Sequence, residues 1–241
     1  MNYLTWKKWQ RHEFGQCSKA EHYYFKKLFN QHFGNTAKKS QLSALEVGFG
    51  NGHFLTWCQA RGIKISGVDR EEELVSRAKA IGVLAFKRLD EVPIEMRFDV
   101  ICMFDLLEHL QMDQINEALL WASNRLEDGG RIAIRSPNGA SPFGLNNQHG
   151  DPTHATTITT SKVESWIMDK NLTVGYAGWD VCAFYNGSVS KTPGRLLRRG
   201  LQLFLEKLTR IIFAPQSSGI LSANLLIILE KKPPELSNYS S

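Results

Sequence analysis

Apolar residues gather along the chain in two kinds of stretch. Short, nearly unbroken runs, Leu42 to Val47, Ile63 to Val68, Val83 to Lys87 and Phe98 to Phe104, have the length of buried strands. Between them, Phe54 to Ala60 and Glu71 to Ala80 read as helices, the second with acids at its start and Arg77 and Lys79 near its end, as the helix dipole prefers. The alternation continues through a strand at Gly130 to Arg135 and a helix at Ser161 to Lys170, capped by Ser161 or Thr160. Strands at Leu172 to Tyr176 and Asp180 to Tyr185, broken at Gly178, precede a last strand at Ala223 to Glu230. Two helical stripes stand apart. Residues 1 to 41 hold Trp6, Trp9, Tyr23 and the pattern Tyr24-Leu28 and Phe25-Phe29-Phe33, suited to packing on the sheet edge or to forming a lid. Leu197, Leu201, Phe204, Leu208 and Ile212 form the other, inside an insertion from Gly187 to Ser222, with Arg198, Arg199, Gln202, Glu206 and Arg210 on the opposite side.

The first run ends in Glu46-Val47-Gly48-Phe49-Gly50-Asn51-Gly52, directly before a helix. Three alternate glycines let the backbone turn tightly and leave room for a flat ligand. Asp69 closes the second run, seventeen positions after Gly52. A β-α-β unit brings such an acid to the carboxyl edge of the neighbouring strand, where it can accept bonds from the two hydroxyls of a ribose. The order Glu-x-Gly-x-Gly-x-Gly differs from the dinucleotide fingerprint, which delivers a pyrophosphate to a helix N-terminus.

These residues resemble motif I of the class I methyltransferases that use S-adenosylmethionine. The resemblance covers about residues 42 to 185 and 223 to 231, and Phe98-Asp99-Val100 matches the family's fourth strand. It implies an α/β, Rossmann-like sheet of seven strands with helices on both faces and the last strand antiparallel. It places Glu46 near the methionine end of the cofactor, lines the cofactor with Gly48, Gly50, Gly52 and Phe104, sets Asp69 on the ribose and brings Asp90 to the adenine amine. Residues 1–41 then form an aromatic helical lid, and 42–241 a methyltransferase domain carrying the insertion at 187–222.

The fourth strand runs straight into Asp105-Leu106-Leu107-Glu108-His109. A helix starting there would set Asp105, Glu108 and His109 on one face, an arrangement able to hold a divalent metal. The Glu-His pair resembles ubiquinone-pathway O-methyltransferases and the metal-dependent small-RNA 2'-O-methyltransferases, although Asp105 is one methylene shorter than the acid of the latter pattern. A long loop follows the fifth strand, and loops of this length in compact domains are usually functional or disordered. Its Asp151-Pro152-Thr153-His154 element, followed by Thr159-Thr160-Ser161, resembles bacterial methyltransferases of lipopolysaccharide, O-antigen and other sugars. For His154 two functional roles stand, general base and metal ligand, with His149 as its substitute. The expectation is the metal-free version, with His154, His109 and Glu108 catalytic and Glu108 orienting a histidine. The expected activity is O-methylation of a cell-surface saccharide or its lipid-linked precursor. A phenolic or quinone-like acceptor, or a non-catalytic S-adenosylmethionine-binding module, are the alternatives.

Composition changes this picture in few places. With 241 residues, 42% of them hydrophobic, and 13 Phe and 6 Trp, one core fills without staples. Cys17, Cys58, Cys102 and Cys182 have no paired spacing, which fits reduced thiols in the cytoplasm. The N-terminus lacks a signal-peptide core, and no run reaches the ~18 apolar residues of a membrane span. The net charge of +5 matters mainly through its placement: six basic residues face one acid between 191 and 210. A basic amphipathic helix can touch an anionic membrane through residues 191–213, at the inner face, or pack on its own domain. Without interleaved aromatic and basic residues, nucleic acid is not an expected partner.

Overall fold

The computed structural model describes residues 13–34, 41–181, 192–213 and 221–232. Trp6, Trp9, residues 182–191 and residues 214–220, on which parts of the lid, the sixth strand and the insertion were expected, lie outside the described residues. The strands are β1 (Ser43–Val47), β2 (Lys64–Val68), β3 (Leu84–Phe86), β4 (Phe98–Phe104), β5 (Leu126–Pro137), β6 (Leu172–Trp179) and β7 (Asn224–Lys231). They form one sheet in the order β3-β2-β1-β4-β5-β7-β6, with β7 antiparallel to both neighbours and the first five parallel. This is the class I methyltransferase fold, and β1 beside β4 is the point where strand order reverses, the usual ligand crevice of open α/β sheets.

The helices are α1 (Lys19–His32), α2 (His53–Gln59), α3 (Glu72–Ala80), α4 (Met112–Arg125), α5 (Leu145–Gly150), α6 (Thr160–Trp166) and α7 (Thr192–Phe213). Strand alternation divides the core between the two faces of the sheet. Ala44, Val100, Cys102, Phe104 and Ala133 meet α1, α2 and α3, while Leu45, Val47, Ile101, Met103, Ile132 and Ile134 meet α4 and α6. By the same period of two, Glu46, Phe104 and Arg135 fall on the α1 face at the carboxyl ends of adjacent strands. That register places two charged groups where a strand would otherwise carry apolar ones.

Helix α1 starts at a capping box in which Ser18 accepts from the Glu21 amide and Glu21 accepts from the Ser18 amide. Its expected aromatic stripe is mostly core. Phe25, Leu28, Phe29 and Phe33 are buried, with Phe25 5.1 Å from Phe54 and Phe29 4.9 Å from Trp57 between ring centroids. Such aromatic pairs add about 0.5 to 1.5 kcal/mol each beyond their buried area. Among the described residues of the expected lid, Tyr24 and Phe25 line the crevice described below.

Two local expectations need correction. Helix α6 is capped by Thr159, whose hydroxyl accepts from the Lys162 amide at 3.2 Å, and it stops at Trp166, well short of Lys170. The Lys170 ammonium turns back onto the Trp166 carbonyl and Asn116, so the chain folds over its own helix end. Helix α7 docks by its polar side. Trp179 of β6 donates to Glu206 at 2.7 Å, and Arg199 stacks 3.8 Å over the same indole, while the stripe from Leu197 to Ile212 is exposed.

Candidate active site

The glycine loop between β1 and α2 takes its shape from three left-handed residues, Gly48, Gly50 and Gly52. At two of them, protein fills the space a side chain would need: a Cβ on Gly48 would lie 2.8 Å from Leu106 and one on Gly52 2.6 Å from Phe14. The glycines therefore let chain segments close over the loop, in addition to any room they leave for a ligand. The segment before α1 clasps it: Gly15 donates to the Asn51 carbonyl at 2.7 Å, and Thr56 donates to the Gly15 carbonyl at 2.6 Å. Glu21 adds a hydrogen bond from His53 Nδ1 at 2.5 Å. Burial alone would raise the Glu21 carboxyl, but the bonds from His53 and Ser18 bring it down to about 2.

Around this loop opens a cavity of about 1340 Å³, more than the roughly 300 to 1,000 Å³ of a single small-molecule site. It has room for a nucleoside cofactor and an acceptor together. Glu46, Gly48, Gly50, Asp69 and Phe104 line it, as do Glu108, His109 and His154. Gly52 does not, being the N-cap of α2 under Phe14. Asp90 does not either: it is exposed and its two oxygens are held by the guanidinium of Arg88, while Leu89 supplies the lining at that place.

Asp69 is buried, with one oxygen accepting from the Gly50 amide at 2.9 Å and the other from the Glu71 amide at 3.0 Å. Each oxygen keeps a second lone pair. Burial holds its carboxyl above the usual range, and these two amides offset only part of that rise. Glu46 is more isolated. Its Oε2 is buried without a hydrogen-bond partner, and burial pushes the carboxyl well above the usual range, with Arg135 opposing and Asp69 and Asp105 reinforcing.

The expected helix from Asp105 does not form. The Asp105 amide continues the β4–β5 ladder by donating to the Arg135 carbonyl at 2.8 Å, and the residue takes a φ of 50° that ends the strand abruptly. Its carboxylate is gripped by the Arg135 guanidinium, with one bond of 3.1 Å from Nε. A single 3-10 turn, Leu107–His109, follows, so Asp105 leaves the company of Glu108 and His109. Arg135 also faces the rings of Tyr24 and Phe104 at 5.1 and 5.3 Å, and Tyr24 donates to Asp180 at 2.9 Å. Sequence reading passed over this arginine, whose only signal is a charge at the carboxyl end of an apolar strand.

Glu108, His109 and His154 do converge. One oxygen of Glu108 and one ring nitrogen of each histidine lie within 4.8 Å of one another, close enough to share a divalent cation. The loop is strapped to the turn because the Glu108 carbonyl accepts from the amides of Ala155 and Thr156, and Thr156 donates to the Leu110 carbonyl. Both imidazoles have their tautomers set from outside. His154 Nδ1 is 2.9 Å from the Gln148 carbonyl and must donate there, leaving the lone pair on Nε2. Thr153 gives its hydroxyl proton to Asp151 and thus accepts from His109 Nδ1 at 2.9 Å, which puts the proton of that ring on Nδ1 as well. Asp151 Oδ2 lies 3.8 Å from His154 Nε2, placed to stabilise an imidazolium. The orienting groups are therefore Gln148, Thr153 and Asp151, a task expected of Glu108. His149 is exposed and lies outside the cavity lining.

The methyltransferase domain family matches residues 9–203, and the chain belongs to that family. No curated protein matches it. Among solved structures it is similar to a SAM dependent methyltransferase from Archaeoglobus fulgidus, with a TM-score of 0.60, 22% identity and coverage of 95% of this chain and 100% of that one. An S-adenosylmethionine-dependent methyltransferase from Clostridium acetobutylicum gives 0.59 at 10% identity, covering 88% and 92% of the two chains. The plantazolicin methyltransferase BpumL, solved with SAH, gives 0.58 at 19% identity, covering 89% and 85%.

Proposed function

We propose that this methyltransferase moves the methyl group of S-adenosylmethionine to a hydroxyl of a bacterial cell-surface saccharide or of its lipid-linked precursor. The observation that carries the reading is a shared chamber: the glycine loop and Asp69 open into the same cavity as His109 and His154, two histidines whose Nδ1 atoms are held by Thr153 and the Gln148 carbonyl. The residues fit the cofactor. Glu46 holds a buried, orphaned oxygen suited to a cationic group, and Asp69 keeps lone pairs for ribose hydroxyls. When bound, S-adenosylmethionine supplies an electrophilic methyl carbon on a sulfonium that is already a good leaving group. The chain must then align the acceptor oxygen and take its proton. His154 Nε2 receives that proton, Asp151 and Glu108 steady the resulting charge, and the Gln148 carbonyl keeps the ring from turning. Free thiols at Cys17, Cys58 and Cys102 accord with a cytoplasmic setting.

The saccharide assignment rests on the Asp151 to His154 element and on a cavity whose lining includes Asn146, Asn147, Asn224 and Asp151. The test is mass spectrometry of envelope extracts from a strain lacking the protein, with purified protein added back beside labelled cofactor. The expected result is loss of one methyl per modified saccharide unit, restored by the protein. Unchanged saccharides together with methylation of phenolic or quinone-like extracts would move the activity to that class. Tight cofactor binding without transfer to any acceptor would leave a binding module.

A further inference from the structure

Helix α7 is amphipathic in the reverse sense from the helices on the sheet. At about 100° per residue, its exposed apolar side chains sweep an arc of about 200°, from Leu203 through Leu197 and Phe204 to Leu205. Leu197 is 76% exposed and Phe204 62%. Its less exposed residues, Arg199, Gln202, Glu206 and Thr209, share the opposite side, where Glu206 and Arg199 engage Trp179. The helix is thus anchored by polar contacts with its greasy face outward. On the same angular count, exposed Arg198 lies about 20° beyond the Leu205 border and exposed Lys207 about 40° inside the Leu203 border.

We propose that α7 lies along the surface of an anionic phospholipid bilayer, with the Leu197 to Ile212 stripe in the acyl boundary and Arg198 and Lys207 among the headgroups. Three observations select this occupant. The helix carries five basic residues and one acid between 192 and 213, and the acid, Glu206, is turned inward to Trp179. A second copy of the helix would set Arg198 and Lys207 against further bases with no outward acid to meet them, whereas anionic headgroups complement both residues. Among the described residues no helix is long and apolar enough to cross a membrane, so α7 lies on the surface. Basic side chains extend along their stems to the headgroup level while the apolar arc sinks below it. None of this depends on the identity of the methyl acceptor.

The test is flotation of the full chain with vesicles of phosphatidylcholine alone or mixed with phosphatidylglycerol. Recovery is expected with the anionic vesicles and is expected to fall on adding salt. Phe204→Glu, an exposed site whose replacement leaves the melting temperature in place, should abolish recovery. Arg198→Glu with Lys207→Glu should weaken anionic binding at least fivefold or so per charge while leaving residual apolar adsorption. Equal recovery on both vesicle types, or none on either, overturns the proposal. So does a concentration-dependent dimer in vesicle-free buffer that Phe204→Glu dissociates, which would assign the face to a second copy.

Discussion

Replacing His154 by alanine is expected to slow methyl transfer about 10²- to 10⁴-fold, the usual worth of a positioned general base, with cofactor affinity nearly unchanged. The expectation follows from the fixed tautomer: the Gln148 carbonyl commits Nδ1 to donation, so Nε2 is the basic atom, and the side chain is only 7% exposed. Gln148 and Asp151 hold one side of the ring each, so His154→Gln, which lacks a basic nitrogen but keeps the bulk, should be nearly as slow. The convergence of Glu108, His109 and His154 makes a rival account testable in the same assay. Protein stripped with a chelator and assayed with and without magnesium or manganese should be fully active without added ion. Activity restored only by the ion would instead assign the three side chains to coordination, and His109→Ala and Glu108→Gln would then lose activity and metal affinity together.

Asp69→Ala is expected to weaken S-adenosylmethionine binding by about 1 to 3 kcal/mol, roughly five- to 150-fold, through lost charge-assisted bonds to the ribose. A second cost adds to it, because the carboxylate also accepts from the amides of Gly50 and Glu71 and so braces the glycine loop. The apo protein should melt lower for that reason. Titration calorimetry separates the two contributions when it is run well below the melting transition of the variant. An unchanged dissociation constant in a folded variant would remove Asp69 from the cofactor site and leave it as a loop brace alone.

What could be read from the chain without its structure was whatever depended on near neighbours. The apolar runs, the alternate glycines and the acid at the end of β2 each carry a local reason for their conformation. The glycine loop and the sheet followed directly. Asp105 was misread because its conformation is set by Arg135, thirty positions away, through a backbone bond and a guanidinium grip. Asp90 stands outside the cavity lining for the opposite reason: Arg88, two residues before it, captures it locally. Gly52 was assigned to the ligand, yet Phe14 from the N-terminal segment needs that space. Periodicity revealed the two faces of α7 without revealing which one docks, and a single indole at Trp179 decides that. The Glu108, His109 and His154 cluster was foreseen as residues, whereas the groups that fix its tautomers lie in loop contacts without a sequence period.

If Glu46 meets the cationic end of the cofactor, as proposed, its orphaned carboxyl gives cofactor capture a proton stoichiometry. Burial keeps that group protonated at pH values where an exposed glutamate would be ionised. A cation arriving beside it favours the ionised form, so its pKa falls on binding and a proton leaves for the solvent. Affinity must then climb with pH between the pKa of the complex and that of the free protein, and level off above the latter. After methyl transfer the sulfonium charge is gone, and whatever part of the pull on Glu46 came from it goes with it. Proton uptake by this one side chain then accompanies the weakening of the grip on the spent cofactor, and the heat of binding in buffers of different ionisation enthalpy would register both halves of the exchange.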